Sequence, residues 1–189
     1  MSEQQHLAQP QFIIQKQFFD DRGKLLPTPT EPQWVQNNIS VSKRGSFRGM
    51  HFQIGNFAQT KLVRVLSGSV IDIIVDLRNV PGNKTYKHVF YYHLGSYNSV
   101  NNHFSLLVPK GFAHGFLALE DNTVFDYLVD EPYNPELDRS INYQSFPIIE
   151  EIAGRHGITA EGLLISQKDQ NAPTFEEWLE RGENPLPNF

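Results

Sequence analysis

Lys61-Leu62-Val63-Arg64-Val65-Leu66-Ser67-Gly68-Ser69-Val70-Ile71-Asp72-Ile73-Ile74-Val75-Asp76-Leu77 is the stretch that decides the fold class. Two runs rich in Val, Ile and Leu flank the short turn Leu66-Ser67-Gly68-Ser69. Branched aliphatic side chains suit a pleated surface, and each run is of strand length. The turn between them predicts a β-hairpin. Working outward, similar runs recur at 12–18, 34–42, 87–94, 104–108, 116–119 and 124–129, punctuated by Gly, Asn, Pro and Ser. Short strands at such spacing predict a sandwich or barrel. Pro27-Thr28-Pro29-Thr30-Glu31-Pro32 is too proline-dense for a helix or central strand and reads as a loop within the domain.

Beyond residue 146 the period changes. Ile148, Ile149 and Ile152 are spaced for one helical face, with Gly154 or Gly157 available as a stop. Thr174-Phe175-Glu176-Glu177 predicts a capping box, with Phe175, Trp178 and Leu179 sharing one face and Gly182 ending the helix. The expectation is a mainly β domain spanning residues 1–189, with short helices mostly near the C-terminus.

Composition narrows the function. The chain has 189 residues and 39% hydrophobic content, enough for one core without staples. There is no cysteine, which excludes disulfides, thiolate metal sites and a cysteine nucleophile. No apolar run has the length of a membrane span, and Met1-Ser2-Glu3-Gln4-Gln5-His6 opens a segment too polar for a signal peptide. A soluble cytoplasmic protein is expected. The net charge of −5 argues against nonspecific nucleic-acid binding. Yet residues 32–71 contain no Asp or Glu and carry Lys43, Arg44, Arg48, Lys61 and Arg64, a local +5 that leaves −10 for the remainder. A small anionic ligand held by a basic site fits this asymmetry; solvated faces explain it equally well on charge alone.

Among seven histidines, His51 and His114 stand out by context. His51 lies in Arg48-Gly49-Met50-His51-Phe52-Gln53, inside the acid-free region, where Gly49 permits close approach of backbone or ligand. His114 lies in Pro109-Lys110-Gly111-Phe112-Ala113-His114-Gly115-Phe116, and this Pro-x-Gly-x-x-His resembles the second half of the cupin signature. Metal-binding cupins carry a His-x-His pair followed by Glu in the first half. Here that place reads His51-Phe52-Gln53, with no acid before Asp72, so a three-ligand metal site is not expected. The imidazoles are left for acid–base work.

The ordered set Val35 to Ser42, Phe47 to Gln53, Ala58 to Val63, Val75-Asp76-Leu77-Arg78, Pro109 to Phe116, Tyr127, Tyr133-Asn134-Pro135-Glu136 and Ser166-Gln167-Lys168-Asp169 resembles the dTDP-4-dehydrorhamnose 3,5-epimerase family. The resemblance covers about residues 19–173. It implies a cupin jelly-roll that dimerises with exchanged strands and epimerises a nucleotide-linked 4-keto-6-deoxy sugar without metal or cofactor. The keto group acidifies C3–H and C5–H, a base removes a proton, and an acid returns one to the opposite face. By resemblance, His51 is the base, oriented by Asp169. Lys61 holds the C4 oxygen and stabilises the enolate. Tyr127 is the opposing acid. Arg48 and His114 contact sugar or phosphate. Gln36, Asn38 and Ser40, two apart on one strand face, line the pocket. Arg22, Tyr133 and Lys168 serve the diphosphate or nucleotide end.

Some positions depart from the family pattern. Lys24-Leu25-Leu26-Pro27 replaces the aromatic pair that follows Asp21-Arg22-Gly23, Tyr143 stands in place of a tryptophan, and the segments at 95–102 and after Phe146 are longer. The catalytic set is intact while the recognition set has drifted. Inversion at C3, C5 or both is therefore open at this stage. So is a non-catalytic sugar-nucleotide-binding cupin.

Overall fold

The computed structural model describes residues 8–14, 16–96 and 104–187. Its strands are Gln11–Ile14 (β1), Phe18–Asp20 (β2), Gly23–Leu25 (β3), Gln36–Ser42 (β4), Phe47–Gln53 (β5), Lys61–Ser67 (β6), Ser69–Asp76 (β7), Val89–Gly95 (β8), Phe104–Val108 (β9), Phe112–Ala118 (β10), Thr123–Val129 (β11) and Asp138–Ser140 (β12). Three short helices follow: Ile148–Arg155 (α1), Gln167–Gln170 (α2) and Phe175–Glu180 (α3). One five-stranded sheet runs β1-β9-β6-β11-β4 and the other β12-β5-β10-β7-β8, with β2 and β3 forming a separate hairpin. Every pairing among these strands is antiparallel. The mainly β sandwich with helices near the C-terminus is as expected.

The turn at Gly68 does something other than close a hairpin. Gly68 has φ +77°, as a tight turn requires. But β6 lies in the first sheet and β7 in the second, so the turn carries the chain across the sandwich. A Cβ at Gly68 would sit 2.4 Å from the Thr123 hydroxyl, so the crossing packs against the start of β11. The expected strand at 12–18 is two strands, β1 and β2, separated by a break. Strand β10 begins four residues earlier than the run at 116–119 predicts, and none of the expected runs covers β3, β5 or β12.

Two apolar layers explain why β7 reads as an unbroken hydrophobic run. Val70 and Ile74 face the interior of the sandwich with Val63, Leu106, Phe116 and Phe125. Ile71, Ile73 and Val75 face the other way, under Ile149, Ile152, Phe175 and Trp178 of the C-terminal helices. A strand covered on both faces loses the apolar–polar alternation of a half-exposed one. Helix α1 buries Ile149 and Ile152, and Gly157, at φ +68°, follows its end. The capping box forms: Thr174 N–H donates to Glu177 Oε2 at 2.7 Å, and Glu177 N–H donates to Thr174 Oγ1 at 3.2 Å. Phe175 and Trp178 are buried on one face of α3 as the spacing predicts.

Strands β5 and β10 meet at an irregular register next to His114. There Gly49 and Gly115 touch backbone to backbone, since a Cβ at Gly49 would lie 2.6 Å from the Gly115 Cα. What comes close to Gly49 is therefore the neighbouring strand. This contact sets His51 and His114 opposite one another in the ladder.

Candidate functional site

A cavity of about 960 Å³ opens between the sheets on the side of β4 and β5. Eleven of the twelve residues expected at the site line it: Gln36, Asn38, Ser40, Arg48, His51, Lys61, His114, Tyr127, Tyr133, Lys168 and Asp169. They come from β4, β5, β6, β10, β11, the turn after β11, and α2. Arg22 is the exception. It sits at the turn of the exposed β2–β3 hairpin, bonded to Asp20, and does not line this cavity.

His51 Nε2 lies 2.8 Å from Asp169 Oδ1. Asp169 is 6% exposed at its side chain and stands on the one-turn helix α2, whose N-cap hydroxyl, Ser166 Oγ, accepts from Asp169 N–H. Burial pulls the Asp169 carboxyl upward, but the hydrogen bond and charge of His51, with Ser166 and Lys168, outweigh it and hold it below its usual range. An ionised carboxylate there fixes the proton on Nε2 and leaves Nδ1 as the basic nitrogen. It also favours the imidazolium that forms once that nitrogen has taken a proton.

Lys61 is 8% exposed, with Nζ donating to the His51 carbonyl at 3.4 Å. Burial lowers its ammonium to about 8, against the opposing pull of Asp138 and Asp72. Tyr127 on β11 is displaced the other way: burial and the Asp138 charge raise it, with Arg48 opposing. At neutral pH the cavity thus holds a cation and a neutral phenol. Ammonium stabilises a developing oxyanion, and phenol can give up a proton.

His114 Nε2 bonds to Asp72 Oδ2 at 2.8 Å, forming a second, deeper His–Asp pair. Burial pushes the Asp72 carboxyl up, against the charges of His114 and Lys61. Arg48 Nε donates to Ser42 Oγ at 3.1 Å, which leaves the Nη groups of the guanidinium for a ligand. Gln36 Oε1 accepts from Tyr133 N–H at 3.1 Å, and Gln36 Nε2 donates to Asn38 Oδ1 at 2.7 Å. Because a backbone N–H can only donate, this relay fixes the orientation of both amides, and Asn38 keeps its NH₂ for a ligand acceptor. Ser40 Oγ is buried and has no hydrogen-bond partner among the described residues.

Sequence reasoning assigned no role to Asp72 and Asp138. Asp72 carried a signal, an acid in the middle of an otherwise apolar buried run, Val70 to Val75. Asp138 carried none, nor did the wall formed by residues 163–165. Of the other acid-free-region cations, Arg64 pairs with Asp126, and Arg44 donates to the Leu119 and His156 carbonyls, so neither serves the cavity. Among the described residues no three His, Asp or Glu side chains converge as metal ligands would. No helix is long and apolar enough to cross a membrane among them.

Comparison with known proteins matches residues 9–177 to the family described as dTDP-4-dehydrorhamnose 3,5-epimerase. The dTDP-4-dehydrorhamnose 3,5-epimerase of Escherichia coli K12 is 40% identical over 146 residues, covering 77% of this chain and 73% of that one. The crystal structure of the enzyme of that name from Elizabethkingia anophelis superposes with a TM-score of 0.76 at 34% identity, covering 90% of this chain and 93% of the other. That from Bacillus anthracis, solved with TDP and pyrophosphate bound, gives 0.74 at 35% identity, covering 88% and 94%.

Proposed function

Since the chain belongs to the dTDP-4-dehydrorhamnose 3,5-epimerase family of isomerases, we propose that it inverts C3 and C5 of a dTDP-linked 4-keto-6-deoxyhexose by cofactor-free proton transfer. The observation that carries this reading is the His51–Asp169 pair at 2.8 Å within a cavity also lined by Lys61 and Tyr127. His51 removes the proton next to the ketone. Asp169 holds the imidazole and balances its charge. The Lys61 ammonium meets the C4 oxygen as the enolate forms, and Tyr127 returns a proton to the opposite face. Arg48, His114, Asn38 and Ser40 bind sugar or phosphate, Gln36 orients Asn38, and Tyr133 and Lys168 take the diphosphate end.

Arg22 enters through the dimer. The hairpin that carries it exposes Phe18, Phe19 and Leu25, and edge strand β4 exposes Ile39 and Val41. In a homodimer with exchanged strands these apolar faces are covered, and Arg22 serves a nucleotide held in the partner's cavity. One domain, residues 1–189, supplies every other group, and the reaction is cytoplasmic. Incubation with dTDP-4-keto-6-deoxyglucose in heavy water tests the proposal by NMR. Deuterium is expected at two carbons, C3 and C5. Label at one carbon alone identifies a mono-epimerase, and no label on a bound, competent substrate leaves only a sugar-nucleotide-binding protein.

A further inference from the structure

Tyr133 and Lys168 approach the cavity mouth from separate parts of the chain and meet on one carboxylate. Asp138, the first residue of β12, accepts from Lys168 Nζ at 2.9 Å and from the Tyr133 hydroxyl at 3.4 Å, both at Oδ2. Its side chain is 14% exposed, whereas that of Lys168 is 63% exposed. The frame behind Asp138 is hydrogen-bonded on several sides. It pairs with Gln53 in the β12–β5 ladder. Gln53, 3% exposed, donates to the Pro132 carbonyl at 3.1 Å and accepts from Asn134 N–H at 2.6 Å. With Gln36 holding Tyr133 N–H, the turn bearing Tyr133 is pinned from both sides.

We propose that Asp138 is a positioning residue for the diphosphate of the substrate: it holds the Lys168 ammonium and the Tyr133 phenol in place before the ligand arrives. This rests on the nucleotide-sugar reading above. A lysine on an exposed helix samples many rotamers, and ordering it on a ligand costs side-chain entropy. Tethering it to a carboxylate on a fixed strand removes part of that cost beforehand. The opposing effect is repulsion between the carboxylate and the diphosphate. The ion pair reduces it, because the Lys168 charge offsets that of Asp138.

Titration calorimetry with dTDP separates the two effects without relying on turnover. Asp138→Asn is expected to weaken dTDP binding about tenfold, and Lys168→Gln by a similar factor. Because Asp138 acts through Lys168 and Tyr133, adding Asp138→Asn to the Lys168→Gln/Tyr133→Phe double variant should weaken binding no more than about twofold further. Asp138→Glu keeps the charge and the pair, and should bind within threefold of wild type. In turnover the Lys168→Gln loss should fall on KM rather than kcat, whereas Asp138→Asn also removes a charge that supports the Lys61 ammonium. Wild-type or tighter binding by Asp138→Asn overturns the proposal, as does an equal tenfold loss in the Lys168→Gln/Tyr133→Phe background. Should Asp138→Asn fail to fold, the Glu variant decides: a loss as large as that of Lys168→Gln refutes the positioning role. If wild type binds dTDP but exchanges no deuterium, the epimerase reading fails on its own. If it exchanges and Asp138→Asn binds normally, only this inference fails.

Discussion

Replacing Lys61 by Met is expected to slow deuterium exchange at both sugar carbons while making the protein more resistant to heat. The ammonium ordinarily ionises at 10.5 and is lowered to about 8 in the fold, chiefly by burial, with Asp138 and Asp72 opposing. At 1.36 kcal/mol per pH unit, that interval amounts to about 3 kcal/mol. Between about 8 and 10.5 the folded chain binds fewer protons than the unfolded one, so stability rises with pH across that window. Below it the penalty is present in full. Methionine fills similar space without the charge, but leaves the His51 carbonyl without its bond at 3.4 Å. A net gain of about 2–3 kcal/mol at pH 7 follows, or roughly 4–10 °C in Tm for a domain of this size. Exchange should fall about 10²–10³-fold, as on loss of an oxyanion donor. The wild-type rate should decline tenfold per pH unit above about 8, and this limb should vanish in Lys61→Met. Tyr127 cannot produce it, because burial raises its phenol above the ordinary 10.0. Thermal melts from pH 6 to 9 and NMR rates over the same range check both halves. A limb near 8 that survives in Lys61→Met, or a variant that melts lower at pH 6–8, refutes the reasoning.

His51→Asn should abolish exchange at both carbons with the circular dichroism spectrum unchanged, since the ring is partly exposed at the cavity and supports no core layer; retained exchange removes His51 from the role of base. Tyr127→Phe should leave washing of deuterium into the substrate largely intact and cut inverted product at least about 10²-fold; equal loss of both points to binding instead. Thr174→Ala removes the capping box of α3 and should lower stability by about 1 kcal/mol in urea titration with turnover unchanged. Gly115→Ala should destabilise strongly, because its Cβ would meet the Arg48 carbonyl oxygen at 2.7 Å, and should disturb the His51–His114 register before other parts of the sheet.

The apolar runs at 61–77 marked strands because β-branched density is a local property. Their pairing was not legible, because whether a turn closes a hairpin or crosses to a second sheet depends on what packs against it. At Gly68 that is Thr123, 55 residues away in the chain. Strand β5 was hidden for a related reason. Arg48, Gly49 and His51 read as a motif rather than a strand, and Gly49 allows a close approach without saying of what; in the fold it is β10. The start of β10 was lost in the same way at Gly115. At the site, the order of motifs placed eleven residues around one cavity, although they lie on six elements and one turn. Asp138 escaped because its partners are fixed only by the fold.

The polar groups of this cavity lie in a sandwich whose interior is mostly Val, Leu, Ile and Phe. Asp72 is fully buried, Lys61, His114 and Asp169 nearly so, and one Asp72 oxygen has no partner among the described residues. Each would cost stability alone, so each has a partner of opposite charge or polarity: His114 with Asp72, His51 with Asp169, Lys168 with Asp138. Lys61 is the exception: among the described residues no carboxylate lies within ion-pair distance, and its one hydrogen bond is to a carbonyl. On the proposed mechanism, an ion pair at Lys61 would neutralise the charge that the enolate oxygen requires. Leaving it without a counter-ion keeps its field directed at the cavity, at the stability cost the Lys61→Met melts measure. On that mechanism the fold pairs the groups that orient and leaves open the one that stabilises charge. Supplying a carboxylate to Lys61, as in Val63→Asp or Val129→Asp on its neighbouring strand positions, should reduce exchange even where the chain still folds.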